Sequence, residues 1–175
     1  MKRRVAMLMV HTCPLEQAGI GDAGGMNIYV AESAARMAAQ GVEVDIFTRR
    51  DHLDLPEVVE LSTGVNVHNL DAGHDLHCTK EQVPAHFKEL SEEFKKALSG
   101  ERRYDLIHSH YWLSGKVAMP VAKELKMQLV HTMHTMARVK TLNLAEGEDP
   151  EPMIRVQGET QVVAAADALV ANTDA

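Results

Sequence analysis

The fold is decided by residues 5–47, which read VAMLMVHTCPLEQAGIGDAGGMNIYVAESAARMAAQGVEVDIF. The first six residues are all apolar, as in a strand that is buried on both faces of a parallel sheet. A glycine-rich loop then leads to residues 26–40, where apolar side chains recur at spacings of three and four and predict a helix. Gly41 is a natural C-terminal stop for that helix, and a second apolar run follows at 42–47. The order of strand, glycine loop, helix and strand predicts a βαβ unit.

The rest of the chain continues the alternation of strands and helices. Further strands are predicted at 65–70, 104–108, 129–132 and 169–171, and further helices at 81–98, 114–125 and 153–166. Residues 71–79 and 137–152 are predicted to be mostly loop, and 51–64 match no clear pattern. These elements predict an α/β fold with a doubly wound, mostly parallel, Rossmann-like sheet, formed by a single domain over 1–175.

Composition excludes several function classes. The formal net charge of -7 argues against a nucleic-acid partner, which needs a basic face. No stretch approaches the ~20 apolar residues that span a bilayer, and no signal peptide is evident, so we expect a cytoplasmic protein without a membrane span. Cys13 and Cys78 match no metal spacing and are expected to be free thiols.

The glycine loop allows two interpretations. Residues 19–24 match G-x-G-x-x-G by letter, which would suggest an NADP-dependent oxidoreductase. However, Gly19 does not directly follow the first strand, and the second strand ends in Thr48-Arg49 rather than in an acidic residue. The favoured interpretation uses Gly24 and Gly25, which lead directly into the predicted helix, because the first N–H groups of a helix attract phosphate.

Polar residues follow most of the predicted strands, where ligands of open α/β sheets bind. His108 and His110 would share one face of a strand, and His131 and His134 lie close in sequence. No Cys or acidic partner completes a metal motif with them, so we predict no metal site and favour hydrogen bonding to a polyol ligand.

Several blocks of the sequence, spread in order over nearly the whole chain, resemble retaining GT-B glycosyltransferases of the sucrose-synthase-like group. They are His11-Thr12-Cys13-Pro14-Leu15, residues 21–30, residues 108–115, His131-Thr132-Met133-His134-Thr135, and Glu151-Pro152 with Arg155 and Gly158-Glu159. Within that group they look most like the inositol 3-phosphate glycosyltransferases of mycothiol biosynthesis. Sucrose-phosphate synthases share the general pattern, so a sucrose-phosphate-synthase-like or other hexosyltransferase domain stays an alternative.

The resemblance implies a set of roles. That family transfers N-acetylglucosamine from its UDP donor to inositol phosphate with retention and without a cofactor in this domain. The acceptor would be held by His11, Asp22, Ala23, Gly24, Gly25, Met26, Asn27, Lys80, Tyr111, Thr135 and Arg155, of which the last four would clamp the phosphate. Gln17, Ala18 and Gly25 would approach the nucleotide sugar, and His134 would be the catalytic-site residue that positions the transferred sugar rather than a nucleophile. Two departures, Cys13 where the family usually has Ser and Ala18 where it usually has Pro, affect the donor contacts.

The resemblance also implies that a donor-binding domain is missing from this chain. The chain would be the N-terminal, acceptor-binding half of a GT-B enzyme, without the C-terminal donor-binding domain, and we expect it to be inactive alone. Its partners would be a sugar phosphate, a nucleotide sugar and that donor domain, with a homodimer left open. A free-standing sugar-phosphate-binding module is the alternative from another class.

Overall fold

A computed structural model describes residues 2–16, 19, 24–52, 54–72, 78–145 and 147–172. Its strands are β1 (Arg4–Leu8), β2 (Glu43–Arg49), β3 (Val58–Ser62), β4 (Val65–Leu70), β5 (Leu106–His110), β6 (Gln128–Thr132) and β7 (Ala168–Val170). Its helices are α1 (Gly25–Ala39), α2 (Phe87–Leu98), α3 (Tyr111–Leu125), α4 (Ala137–Leu142) and α5 (Met153–Ala165). None of the helices in these residues is long and apolar enough to cross a membrane.

The seven strands form one sheet in the order β3-β4-β2-β1-β5-β6-β7. All neighbouring strands are parallel except β3, which pairs with β4 as an antiparallel edge strand. The chain begins at β1 in the middle of the sheet and places β2, β3 and β4 on one side of it. It then crosses over and places β5, β6 and β7 on the other side. The predicted α/β class with a doubly wound, mostly parallel sheet is therefore confirmed.

The apolar run at the start of the chain forms the centre of two cores. Val5, Met7 and Met9 pack with α1 on one face of the sheet. Ala6, Leu8 and the following Val10 pack with α2 and α3 on the other. Successive strand residues point to opposite faces, so a strand covered by helices on both sides is apolar at every position.

Two elements were missed by the sequence analysis. β3 lies in the unassigned stretch 51–64, and it was missed because an edge strand with exposed and half-buried residues lacks an apolar pattern. The prediction of loop over 137–152 was wrong at its start, where α4 forms. α4 has only six residues and buries only Ala137, so periodicity does not reveal it.

Three boundaries also differ from the prediction. The helix predicted from residue 81 begins at Phe87, because a short 3₁₀ turn containing Pro84 precedes it. The strand predicted at 104–108 covers Leu106–His110. α3 begins at Tyr111, directly after β5, rather than at residue 114. The last two shifts place the polar residues of 108–110 inside a buried strand rather than in a loop.

α3 and α5 cross at close range near the points where both helices begin. A Cβ on Gly158 would lie 2.5 Å from Cε3 of Trp112, and one on Gly115 would lie 2.5 Å from Cγ1 of Val162. Both distances are far below carbon–carbon contact, so only glycine allows this approach. The crossing holds the first turn of α5 against the start of α3.

Candidate functional site

A cavity of about 270 Å³ lies where α3 and α5 begin, beyond the carboxyl end of β5. Three of the four residues predicted to clamp a phosphate line it together: Lys80, Tyr111 and Arg155. The other lining residues are Glu81, Pro84, Trp112, Leu113, Glu151, Pro152 and Ile154. Residues that are up to 75 positions apart in sequence therefore meet at one small cavity.

Arg155 is the most heavily bonded residue of the site. Its Nη2 donates to the side-chain oxygen of Thr135 at 2.8 Å and to the backbone oxygen of Thr135 at 3.2 Å. Its Nε donates to Glu159 at 2.8 Å, and its Nη1 lies 2.8 Å from Oε2 of Glu151. The guanidinium carbon also lies 5.1 Å from the centre of the Tyr111 ring, within cation–π range. Thr135, the fourth predicted clamp residue, thus joins the site through Arg155.

The charges around Arg155 are closely balanced. Burial opposes ionisation of Arg155, but the hydrogen bond to Glu159 and the nearby acidic side chains raise its pKa. Burial also opposes ionisation of Glu151, but the hydrogen bond from Lys140 and the charge of Arg155 hold the pKa of Glu151 below its usual range. Arg155 and Glu151 are therefore both charged at neutral pH.

Tyr111 has a strained backbone. Its φ is +69°, in the left-handed region that costs a side-chain-bearing residue roughly 1–2 kcal/mol. The ring lies 4.6 Å from that of His11, which follows β1. Strain of this kind is found where the surrounding structure enforces a functional geometry. The arrangement brings His11 and Tyr111, both predicted acceptor residues, into contact.

His134 shares this strain, with a φ of +61°. Its Nε2 lies 3.1 Å from Nδ1 of His110, its Nδ1 lies 3.0 Å from the side-chain nitrogen of Asn172, and the edge of its ring meets Tyr29 of α1 at 5.1 Å. Burial lowers the pKa of His134 to about 4, so the ring is neutral at pH 7. A neutral, fixed ring suits the predicted positioning role better than proton donation.

Three further histidines lie buried beneath His134. Nε2 of His108 contacts the hydroxyl of Thr132 at 2.8 Å, and Nδ1 of His131 contacts that of Ser109 at 2.8 Å. Burial lowers the pKa of His108 and His131 to about 4 and that of His110 well below its usual value. The described residues contain no group of three or more His, Cys, Asp or Glu side chains that could hold a metal ion.

α1 begins at Gly25, one residue earlier than predicted, with Gly24 directly before it. Among the residues that the structure describes, no heavy atom lies within 4 Å of a Cβ built on either glycine. Asn27 is buried, and its side-chain nitrogen donates to Thr12 and to the backbone oxygen of Cys13, so it fixes the loop after β1. Met26 is half-buried against the core of the α1 face.

Some predicted residues lie outside the described part of the chain. They are the donor-side residues Gln17 and Ala18 and the acceptor-side residues Asp22 and Ala23. The letter match to the dinucleotide fingerprint also falls largely there. β1 ends at Leu8, so residues 9–18 of the sequence stand between it and Gly19, whereas the fingerprint needs a tight turn directly after the strand.

Residues 24–175 match the family described as the glycosyl transferase 4-like domain. The chain belongs to this family.

Individual members of the family extend the comparison. This glycosyl transferase 4-like chain is 54% identical over 173 residues to a D-inositol 3-phosphate glycosyltransferase of Streptomyces coelicolor, and 53% identical over 175 residues to one of Kineococcus radiotolerans. These matches cover 98% and 99% of the chain but 38% and 40% of the relatives, so the chain spans well under half of their length. The predicted resemblance to this group is confirmed.

Solved structures agree with the fold. A sucrose-phosphate synthase from Thermosynechococcus elongatus superimposes with a TM-score of 0.87 at 31% identity, over 96% of this chain and 42% of that one. The catalytic domain of starch synthase IV from Arabidopsis thaliana matches with a TM-score of 0.54 at 17% identity, which supports the fold alone. The roles of the individual site residues stay predictions.

Sequence reasoning assigned no role to several residues of this glycosyl transferase 4-like site. Glu151 and Glu159 lie four positions before and after Arg155, and both contact it. For Glu159, which lies on α5, this spacing was a usable signal, because residues four apart meet on a helix. Glu159 also accepts from the backbone nitrogen of Ala137 at 2.9 Å, which ties α4 to α5. Tyr29 and Asn172, which contact His134, gave no comparable signal in the sequence.

Proposed function

We propose that this chain is the acceptor-binding domain of a retaining glycosyltransferase that moves N-acetylglucosamine from UDP-N-acetylglucosamine to 1D-myo-inositol 3-phosphate. The observation that carries the proposal is the shared cavity of Lys80, Tyr111 and Arg155, with Thr135 bonded to Arg155. The names of the relatives support an inositol phosphate acceptor.

The lining of the cavity suits a phosphate monoester of a small polyol. Arg supplies a planar fork that pairs with two phosphate oxygens, Lys supplies a compact charge, and the hydroxyls of Tyr111 and Thr135 can donate hydrogen bonds. The volume of about 270 Å³ lies just below the range of roughly 300–1,000 Å³ that is typical of pockets for drug-sized molecules. A sugar phosphate is therefore a better match than a larger ligand.

In this proposal the donor approaches from the α1 side. The amino end of α1 attracts the negative diphosphate, because the first N–H groups of a helix carry a partial positive charge. His134 contacts Tyr29 of α1 and directly precedes Thr135 in the sequence. As a neutral ring it can hold a sugar hydroxyl by a hydrogen bond once a ligand displaces one of its present partners.

In this proposal, glycosyl transfer needs a second part of the protein that binds the donor. The relatives contain a large portion that this chain does not match, and we assign donor binding and stabilisation of the leaving diphosphate to that portion. Closure of both parts around the substrates would complete the site, so no turnover is expected from residues 1–175 alone. A UDP-sugar donor and two free cysteines accord with the cytoplasmic location that the sequence predicts.

Titration calorimetry with myo-inositol 3-phosphate, and with myo-inositol as the unphosphorylated ligand, tests the proposal. We expect Lys80→Ala to weaken binding of the phosphorylated ligand about 10-fold or more, because a charge-assisted hydrogen bond contributes about 1.5–3 kcal/mol. Arg155→Lys, which keeps the charge but loses the fork, should weaken it similarly. Lys88→Ala and Arg138→Ala remove exposed cations that do not line the cavity and serve as matched controls.

Binding that is equally strong in Lys80→Ala, Arg155→Lys and the controls would exclude the phosphate clamp. A preference for fructose 6-phosphate over inositol 3-phosphate would instead favour the sucrose-phosphate-synthase-like alternative, which the structural match to such an enzyme supports. Tight sugar-phosphate binding without any activity when the missing part of a relative is supplied would favour the free-standing binding module.

A further inference from the structure

Glu151 occupies an unusual place in the cavity. Its carboxylate lies 2.8 Å from Nη1 of Arg155 and is also bonded to Nζ of Lys140. Its side chain is 16% exposed and lines the same cavity as Lys80 and Tyr111. The acid therefore accepts from the guanidinium in the way that a phosphate oxygen of the proposed acceptor would.

The charged side chains of the cavity and its first neighbours sum to zero, and this limits how strongly the cavity can bind a phosphate. The cavity and its first neighbours hold as many cations as carboxylates, namely Lys80, Lys140 and Arg155 against Glu81, Glu151 and Glu159. A phosphate dianion that enters a site of zero net charge meets repulsion from the acids as well as attraction from the bases. Strong binding requires that one carboxylate moves away from the guanidinium.

Among the three acids, Glu151 is the one able to move. Glu159 is held by two bonds from the backbone nitrogen of Ala137, at 2.9 and 3.1 Å, in addition to Arg155. The side chain of Glu81 is 70% exposed and already solvated. Glu151 precedes α5 outside regular structure, and the cation that also binds it, Lys140, has a side chain that is 54% exposed. The pair can therefore swing outward together.

We propose that Glu151 is an internal substitute for the acceptor phosphate, bound to Arg155 when the cavity is empty and transferred fully to Lys140 when a phosphate arrives. This inference rests on the proposed function, because it assumes that the cavity takes a phosphate. Glu151 then keeps Arg155 paired and oriented without a ligand. Because a ligand must displace this carboxylate from Arg155, a doubly charged phosphate binds more strongly than a singly charged anion.

Binding of inorganic phosphate and of myo-inositol 3-phosphate to the 175-residue chain, measured by calorimetry at ~0.15 M ionic strength, tests the inference. Glu151→Gln should bind both about tenfold more tightly, because a competing negative charge is removed beside the phosphate. Asp149→Asn makes the same change of net charge two residues away, outside the cavity, and should alter affinity less than about twofold.

A double-mutant cycle distinguishes release of Glu151 from simple loss of charge. Lys140→Ala should weaken phosphate binding several-fold in the wild-type background, because the displaced carboxylate then loses its alternative partner. It should have little effect in the Glu151→Gln background. A Lys140→Ala effect of equal size in both backgrounds, or Glu151→Gln binding that is unchanged or weaker, would overturn the inference.

The same data separate this inference from the proposed function. Phosphate binding that Lys80→Ala abolishes but Glu151→Gln leaves unmoved refutes the role of Glu151 alone. Absence of phosphate binding in the wild type and in Glu151→Gln alike refutes both. Thermal melting of each variant checks that all of them are folded when binding is compared.

Discussion

Replacement of Gly158 by Ala tests how the fold places Arg155. The new Cβ would lie 2.5 Å from Cε3 and 2.8 Å from Cζ3 of Trp112. Carbon atoms rest about 3.5–4.0 Å apart, so α5 must retreat from α3 by about 1–1.5 Å. Trp112 cannot yield easily, because it is buried and its ring packs edge-on against Phe87.

The retreat carries Arg155 with it, since Arg155 lies on the same helix one turn earlier. The 2.8 Å bond from Arg155 to the hydroxyl of Thr135 would lengthen to about 4 Å and break. Overpacking costs about 1–3 kcal/mol, and the better helix propensity of Ala offsets about 1 kcal/mol of this. The expected net loss of about 0–2 kcal/mol corresponds to a melting temperature lower by up to about 8 °C.

The assay combines thermal melting with calorimetric titration of myo-inositol 3-phosphate. We expect Gly158→Ala to stay folded and to bind the ligand at least about tenfold more weakly, because loss of one charge-assisted bond has that effect. Gly100→Ala is the control, since its Cβ would meet only the backbone oxygen of Ala97 at 3.8 Å. Unchanged melting and unchanged binding in Gly158→Ala would show that the helix crossing does not determine the position of Arg155.

Two further predictions concern stability. His108 and His131 have pKa values of about 4 in the fold and about 6.5 when unfolded, so the unfolded chain binds more protons between these values. The free energy of unfolding should therefore fall from pH 6.5 to pH 4, by at most ~3 kcal/mol per histidine. A urea midpoint that stays the same between these pH values would contradict this. Asp45→Asn should cost about 1–3 kcal/mol in the same assay, because buried Asp45 accepts from Arg102 and Tyr104; an unchanged midpoint would refute it.

The sequence predicted those parts of the fold whose burial leaves a pattern. β1 and β4 were found because their inward positions are apolar. α1 was found from the period of Ile28, Ala31, Ala35 and Ala38, but the face it buries carries Asn27, Val30 and Ala34, and Ile28 is exposed. β3 was not found, because it is stabilised by pairing with β4 at the edge of the sheet rather than by burial. The residues Thr63-Gly64 between them, with Gly64 at a φ of +83°, were the available signal of a hairpin.

The contacts of the candidate site also differ in whether they can be predicted from the sequence. Lys80, Tyr111 and Arg155 were named through a resemblance, and no spacing rule would have joined them, because the sheet topology brings them together. The pairing of Arg155 with Glu159 follows from helical geometry and was accessible from the sequence. The contact with Glu151 was not, because Glu151 precedes α5. The contact of His134 with Asn172 was not, since it links the ends of different strands.

The left-handed backbone of Tyr111 and His134 has a consequence for how this protein changes under selection. Glycine would adopt the same conformation without the strain of roughly 1–2 kcal/mol, but it would lose the packing of the Tyr111 ring against the core and the contacts of His134 with His110 and Tyr29. Loss of a packed aromatic ring costs about 3–5 kcal/mol, more than the strain that glycine would release. Selection for heat resistance on this scaffold should therefore retain both side chains even when ligand binding is not selected.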